Sequence, residues 1–367
     1  MRLAQLVLSK QAEIREIRRS GRFDRTYYVT AHGHIHPVLK RLPVLHYLLN
    51  GERIGLRPEP GFSARAYLHN NPELANVLVG TGRSAYAHWL TEGRHEGRVV
   101  IRGPGEPLAP GEAMPSISRS DLPDSPADAA VHLHLHYPEL WPAISERLAS
   151  QLFDFDLFVT LTPRARGVRS TILDDFPRAV VWDVPNRGRD ILPFLHLARE
   201  GVFDPYRAVA KIHGKRSPHR QDGDSWRDRL LDGVLSEPRK TEARLAALLA
   251  DDRIQLATAD GQILAGDIYW GQSRQLVERL AAKIGLALPP GPLRFPAGSI
   301  YWIKRPTLER LRRLDLAPED FEPEQGLVDG TVAHAIERLV GYLVVSAGGA
   351  MATASELDRR NGNGMAT

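Results

Sequence analysis

The chain has 367 residues, no cysteine, 43% hydrophobic residues and a formal net charge of +4. That length supports one large or two medium cores, while the missing cysteines exclude disulfides and thiolate metal sites. The modest, scattered positive excess argues against nucleic acid, and no apolar run approaches the roughly 20 residues of a membrane span, so a soluble protein is expected, with anionic small ligands or a membrane surface left open.

The apolar start of the chain (Leu3, Leu6, Val7, Leu8) runs straight into Lys10, Glu13, Arg15 and Glu16, which does not read as a signal peptide. Residues 3–19 instead predict an amphipathic helix, with Leu3, Leu6, Val7, Ile14 and Ile17 on one side and Arg15, Arg18 and Arg19 elsewhere. Such a helix either packs on its own domain or lies on a bilayer surface. An internal repeat follows, with copies at about 23–58 and 62–98. Phe23-x4-Tyr28 recurs as Phe62-x4-Tyr67, and His46-Tyr47-Leu48-x2-Gly51-x3-Gly55 recurs as His88-Trp89-Leu90-x2-Gly93-x3-Gly97. Repeats of this length stack as small helical units, so residues 1–102 predict a small all-α repeat domain. Helices are expected at 43–50 and 86–92, each ending at a glycine C-cap. The repeat resembles short units that accompany bacterial glycosyltransferases and polysaccharide assembly proteins, a likeness of domain company and not of activity.

Residues 103–128, rich in Gly, Pro and Ser without periodicity, predict an interdomain linker. From 129 to 346 strand and helix signals alternate, which predicts an α/β domain with a mostly parallel, Rossmann-like sheet and flanking helices. Strands are expected at 130–136, 156–161, 179–184 and 208–213, and helices at 139–152 and 190–199. Right-handed crossovers then align the strand exits along one edge. Further helices are expected at 226–235, 240–249 and 273–284, a strand at 299–304, a closing helix at 329–339, and a frayed tail over 347–367.

Two loops at that edge carry the densest chemistry. Asn186-Arg187-Gly188-Arg189-Asp190 follows the third strand, and Lys211-Ile212-His213-Gly214-Lys215-Arg216-Ser217 ends the fourth. Arg187, Arg189, Lys215 and Arg216 would suit a phosphorylated or nucleotide-linked ligand at the ligand-binding edge of such sheets. Gly188 permits close backbone approach, and Asp190 is placed to bond a ribose, base or sugar hydroxyl. The plainer alternative is a turn with Asn186 as N-cap. Lys211 and His213 share a strand face, and a lysine within a buried strand needs an anionic partner or a wet cleft. His132, His134 and His136 also share a face, but same-face neighbours on a strand stand about 7 Å apart and do not all converge on one ion. Pro296-Ala297-Gly298-Ser299-Ile300-Tyr301-Trp302 reads as a tight turn into an aromatic strand, with Gly298, Ser299, Tyr301 and Trp302 as a wall for a carbohydrate ring. Asp329-Gly330-Thr331 opens a helix presenting His334, Glu337 and Arg338, for which cap and ion-pair roles are the plain alternative.

Across roughly 130–345 these segments resemble the rhamnan synthesis protein F family of bacterial polysaccharide biosynthesis. The likeness rests on His132 to Trp141, Asn186 to Phe194, Lys211 to Ser217, the Ala297-Gly298-Ser299 strand and Val332 to Arg338. It implies a rhamnosyltransferase or related glycosyltransferase that extends O-antigen or cell-wall chains from a dTDP-activated sugar. The order of elements also looks like a GT-A glycosyltransferase fold, in which Lys211 to Ser217 occupies the place of the usual acidic metal motif. An acceptor hydroxyl must lose its proton as the glycosidic bond forms; Asp329 falls where an inverting enzyme carries that base, with His334 and Glu337 completing the catalytic set. The Asp-x-Asp pairs on offer, Asp154-Phe155-Asp156 and Asp222-Gly223-Asp224, precede a strand or lie in a polar loop. The diphosphate is therefore expected to be neutralised by Lys215, Arg216 and the arginines near 187, with no cofactor and no divalent ion. Gly214 departs from the hydroxyl residue expected there. The implied setting is cytoplasmic, peripheral at the inner face of the plasma membrane. Its partners would be a dTDP-sugar donor, a lipid-linked glycan acceptor and other assembly proteins, and no nucleic acid. A non-catalytic glycan-binding or assembly module is the alternative, and a phosphate-ester enzyme using His213 is a third.

Overall fold

The computed structural model describes residues 9–32, 35–37, 39–108, 113–214 and 223–364. The chain forms two compact units, one of Met1–Pro104, Asp267–Arg274 and Glu322–Thr331, the other of Gly105–Gly266, Gln275–Phe321 and Val332–Thr367. The division differs from the sequence reading in taking two distant segments into the first unit, the second of them tied there by polar contacts. Arg57 Nη2 donates to the Asp329 carbonyl at 3.0 Å, and Asn70 and Arg102 both donate to the Gln325 side chain, at 3.2 and 2.9 Å.

In the first unit the two repeat copies are built alike. Asp24 caps the helix Arg25–Ala31 by accepting from Tyr27 N, and Ser63 caps Ala64–Asn70 by accepting from Ala66 N. From these helices Tyr28 and Tyr67 reach the Nδ1 of His46 and His88, at 2.7 and 3.0 Å. Phe62, Tyr47, Tyr86 and Trp89 pack around them in one aromatic core. The glycines expected as C-caps do something else. Each copy passes through its first glycine in a π-turn, Tyr47–Gly51 and Trp89–Gly93, and a Cβ at Gly51 or Gly93 would overlap the hydroxyl of Tyr28 or Tyr67. The left-handed turn falls at the second glycine, Gly55 (φ 87) and Gly97 (φ 67). Of the helix expected over 3–19, residues 1–8 lie outside the described residues, and Gln11–Ser20 is helical.

The second unit is an α/β structure around a seven-stranded mixed, mostly parallel sheet. Its strands are β1 (Ala129–Leu135), β2 (Phe155–Leu161), β3 (Val180–Asp183), β4 (Ala208–His213), β5 (Ile254–Thr258), β8 (Tyr301–Lys304) and β9 (Ala350–Thr353), in the order β3-β2-β1-β4-β8-β5-β9. β8 runs antiparallel to β4 and β5, while β6 (Ile263–Ala265) and β7 (Arg294–Pro296) form a separate pair. Strands covered on both faces read as continuous apolar runs. Accordingly Val131, Leu133 and Leu135 of β1 join Leu157, Val159, Ala210 and Ile212 in one cluster beneath the helices Trp141–Ala149, Gly223–Val234 and Pro238–Ala250. The helices Ile191–Arg199 and Val332–Ser346 supply further buried side chains, among them Phe194, Leu195, Ile336 and Leu339.

Of the tail expected to fray over 347–367, the described residues from 350 to 364 are built into this unit as β9 and the helix Ala354–Gly364. β9 pairs in parallel with β5, Leu357 is buried, and Arg244 grips Asp358 through two 2.7 Å bonds. Ala350, Met351 and Ala352 carry little intrinsic strand preference, so only the neighbouring β5 makes them a strand.

Candidate functional site

Strand order reverses between β1 and β4, with β2 and β3 on one side and β8, β5 and β9 on the other. In open α/β sheets ligands bind in the crevice outside the carboxyl ends at such a switch point. There the register sets His132 opposite Lys211 and His134 opposite His213. Thr160 of β2 bridges the first and second histidines, 3.0 Å from His132 Nε2 and 3.1 Å from His134 Nδ1. One hydroxyl carries one proton and two lone pairs, so it donates to at most one of these rings and accepts from at least one. Burial lowers the pKa of both rings, that of His134 to about 3. Both histidines are therefore neutral, and His132 packs against Phe194 and Phe203. His136, at the strand exit, bonds Thr162 Oγ1 at 3.0 Å.

Lys211 stands at the centre of this face, fully buried. Its ammonium donates to the Asp190 carboxylate, to Ser299 O at 3.0 Å and to Ser299 Oγ at 2.9 Å. The rings of Phe194 and Tyr301 lie 5.7 Å from it. Asp190 is the N-cap residue of Ile191–Arg199, yet its side chain caps no amide of that helix; the carboxylate turns to Lys211 instead. His213 Nε2 donates to Gly298 O at 2.8 Å and lies 3.8 Å from the same carboxylate. Gly298 N donates to Glu337 Oε1 at 2.7 Å. Four side chains from three elements thus converge on the ends of two loops.

Both loops hold an uncommon backbone. Gly188 (φ 62) and Arg189 (φ 57) are consecutive left-handed residues, as are Gly298 (φ 87) and Ser299 (φ 57). A left-handed non-glycine residue costs roughly 1–2 kcal/mol, so Arg189 and Ser299 keep that shape only against restraint. At 188 nothing but glycine fits, since a Cβ would overlap Leu192 Cβ and lie 2.8 Å from the Phe321 ring. Arg189 Nη1 is 3.1 Å from His334 Nε2. A guanidinium only donates, which makes Nε2 the acceptor and puts the ring proton on Nδ1.

Several residues singled out from the sequence have other work. Arg187 is buried, donating to Phe321 O through Nε (3.0 Å) and Nη2 (2.7 Å) and to Glu106 O (2.7 Å); its charge is spent on carbonyls. Asn186 is exposed and is not the helix cap, that place falling to Asp190. Tyr301 and Trp302 are buried. Trp302 faces the apolar cluster on the opposite side of the sheet and donates to Val234 O at 2.9 Å, so neither ring is open for a sugar to stack on. Burial raises the pKa of the Tyr301 phenol, which stays neutral. Asp329 belongs to the first unit, where its carboxylate accepts from Gln272 N (2.8 Å) and Ser273 Oγ (3.2 Å). At Gly214 a Cβ would press on Leu135 Cδ1 at 3.0 Å and Leu140 Cδ1 at 3.3 Å, a packing reason for the departure seen there. Lys215, Arg216 and Asp222 lie outside the described residues. Among the described residues no group of three or more His, Asp or Glu is placed to hold a metal ion, and no helix is long and apolar enough to cross a membrane.

Sequence reasoning missed Thr160, Phe321 and the Glu106 carbonyl. Thr160 was legible in principle as a polar residue inside a mostly apolar strand; the Phe321 and Glu106 carbonyls are backbone atoms and leave no sequence signal.

Residues 108–348 match the family model described as rhamnan synthesis protein F. The Uncharacterized protein WxcX of Xanthomonas campestris pv. campestris (strain B100) is 36% identical over 179 residues, 49% of this chain and 26% of that protein. The protein of the same name from strain ATCC 33913 gives the same figures. The chain thus spans 26% of the length of these curated relatives. No solved structure matches.

Proposed function

The chain belongs to the rhamnan synthesis protein F family, and on that premise we propose that its second unit is a GT-A-like, inverting glycosyltransferase moving a deoxysugar such as L-rhamnose from a dTDP-sugar to a lipid-linked, growing cell-surface glycan. The observation that carries this reading is the meeting of the 186–190 and 297–299 loops on Lys211, at the carboxyl edge beside the switch point.

In this reading Gly188 and Arg189 face the donor diphosphate, with Lys215 and Arg216 following β4 as further cations. The loop at 298–299 borders the acceptor. Glu337 is the base: one carboxylate oxygen holds Gly298 N, and the other has no hydrogen-bond partner among the described residues. As the acceptor oxygen bonds to the anomeric carbon, its proton passes to Glu337. The bond from that carbon to the diphosphate breaks on the opposite face, and dTDP leaves with the electron pair. Asp329 accepts from Gln272 N and Ser273 Oγ and has no part in the reaction in this reading. Membrane periphery and partnership with other assembly proteins belong to the same proposal. The alternative, a non-catalytic glycan-binding or assembly module, draws support from the internal use of Arg187 and Lys211, which thins the donor pocket.

Transfer from dTDP-L-rhamnose to a lipid-linked acceptor is measured for wild type, Glu337→Gln and Arg189→Ala. Glu337→Gln keeps an acceptor for Gly298 N and should lower kcat by about a hundredfold or more, the usual worth of a general base. Arg189→Ala should weaken donor binding about tenfold. Unchanged turnover in Glu337→Gln removes the base assignment; tight dTDP-sugar binding with no turnover favours the module.

A further inference from the structure

A buried lysine beside a supposed diphosphate site invites assignment as a phosphate ligand, but the geometry points elsewhere. An ammonium has three protons, and Lys211 Nζ directs donors to the Asp190 carboxylate, Ser299 O and Ser299 Oγ. Between the Phe194 and Tyr301 rings, it joins the ends of two loops that each carry a left-handed pair. The second loop is tied at two more points, Gly298 O by His213 and Gly298 N by Glu337. These ties help to offset the strain at Ser299, a non-glycine residue at φ 57.

We infer that Lys211 is a positioning residue, a pin that holds Ser299 left-handed and fixes the 186–190 and 297–299 loops against each other, so that the ligand meets preformed walls. The ligand part of this inference rests on the sugar-nucleotide reading; the pin does not. A preformed loop spares the ligand the ordering cost that binding otherwise carries.

Removing Lys211 alone would strand a carboxylate, so the test uses the neutral pair Asp190→Asn/Lys211→Met. Hydrogen exchange is followed by mass spectrometry in peptides covering 296–300 and, as controls, β1 and β2. The pair should exchange about tenfold faster at 296–300, the worth of one charge-assisted bond, with the controls unmoved. Adding Ser299→Gly should return about fivefold of that protection, because glycine adopts the left-handed turn without strain. Lys211→Arg should not restore the loop, since a planar guanidinium does not aim three donors as an ammonium does. Exchange at 296–300 equal to wild type in the neutral pair overturns the pin, and absence of recovery with Ser299→Gly overturns the link to strain. Isothermal titration with dTDP forms the second arm. Affinity undiminished in the neutral pair despite a loosened loop overturns the positioning role, while a wild type that takes up no dTDP but shows the exchange pattern leaves the pin standing and removes the sugar-nucleotide reading.

Discussion

Arg187→Ala separates a structural arginine from a ligand-binding one. The guanidinium satisfies the Phe321 carbonyl twice, at 3.0 and 2.7 Å, and the Glu106 carbonyl at 2.7 Å. Truncation leaves Phe321 O buried without its donors and Glu106 O partly so. An unsatisfied buried acceptor costs about 1–3 kcal/mol, which places the loss near 3 kcal/mol for the two together. With a urea slope of about 3 kcal/mol/M, that is a fall of about 1 M in the denaturation midpoint. Arg187→Lys should recover less than half, because a single ammonium does not span both carbonyls. Urea unfolding by tryptophan fluorescence gives the midpoint, and titration with dTDP below the transition gives the affinity. The midpoint should fall while the dTDP affinity stays within about twofold. An unchanged midpoint with affinity reduced tenfold or more would refute the structural account and return Arg187 to the diphosphate.

In the repeats, Gly93→Ala pushes a methyl into the Tyr67 hydroxyl and should destabilise by about 1–3 kcal/mol; Tyr67→Phe removes the obstructing oxygen, so the double variant should lose less than the sum of the singles in thermal melts. His134 is neutral in the fold, its pKa lowered to about 3 from 6.5. The unfolded chain therefore binds a proton that the folded chain refuses: the stability is fully present above pH 6.5 and is lost as pH falls from there toward 3, by up to about 1.4 kcal/mol per pH unit for this one group. Urea midpoints taken across that window should slope less steeply in His134→Asn, and an identical slope would contradict the assignment.

The strands β1, β2 and β4 were legible as short apolar stretches, broken in β1 and β4 by His132, His134 and Lys211, and their endpoints lie within one residue of those expected. β5 and β9 were not, since Ile254 to Thr258 is short and follows an acidic turn, and residues 350–353 are small. Of the site, the sequence marks Lys211 as needing an anionic partner or a wet cleft, and the structure sets it against Asp190 of the 186–190 loop. What the sequence could not convey was direction. Arg187 and Arg189 are two residues apart and chemically alike, yet the left-handed turn at Gly188 sends one to buried carbonyls and the other toward His334. Likewise Tyr301 and Trp302 read as an aromatic wall, but pairing of β8 with both β4 and β5 buries the pair.

A crystal of this chain soaked with dTDP tests the central claim most directly. The diphosphate should settle within hydrogen-bonding distance of the Gly188–Arg189 backbone, with the vacant sugar end turned toward Ser299. A nucleotide ordered elsewhere on the chain, touching neither 186–190 nor 298–299, would contradict the account.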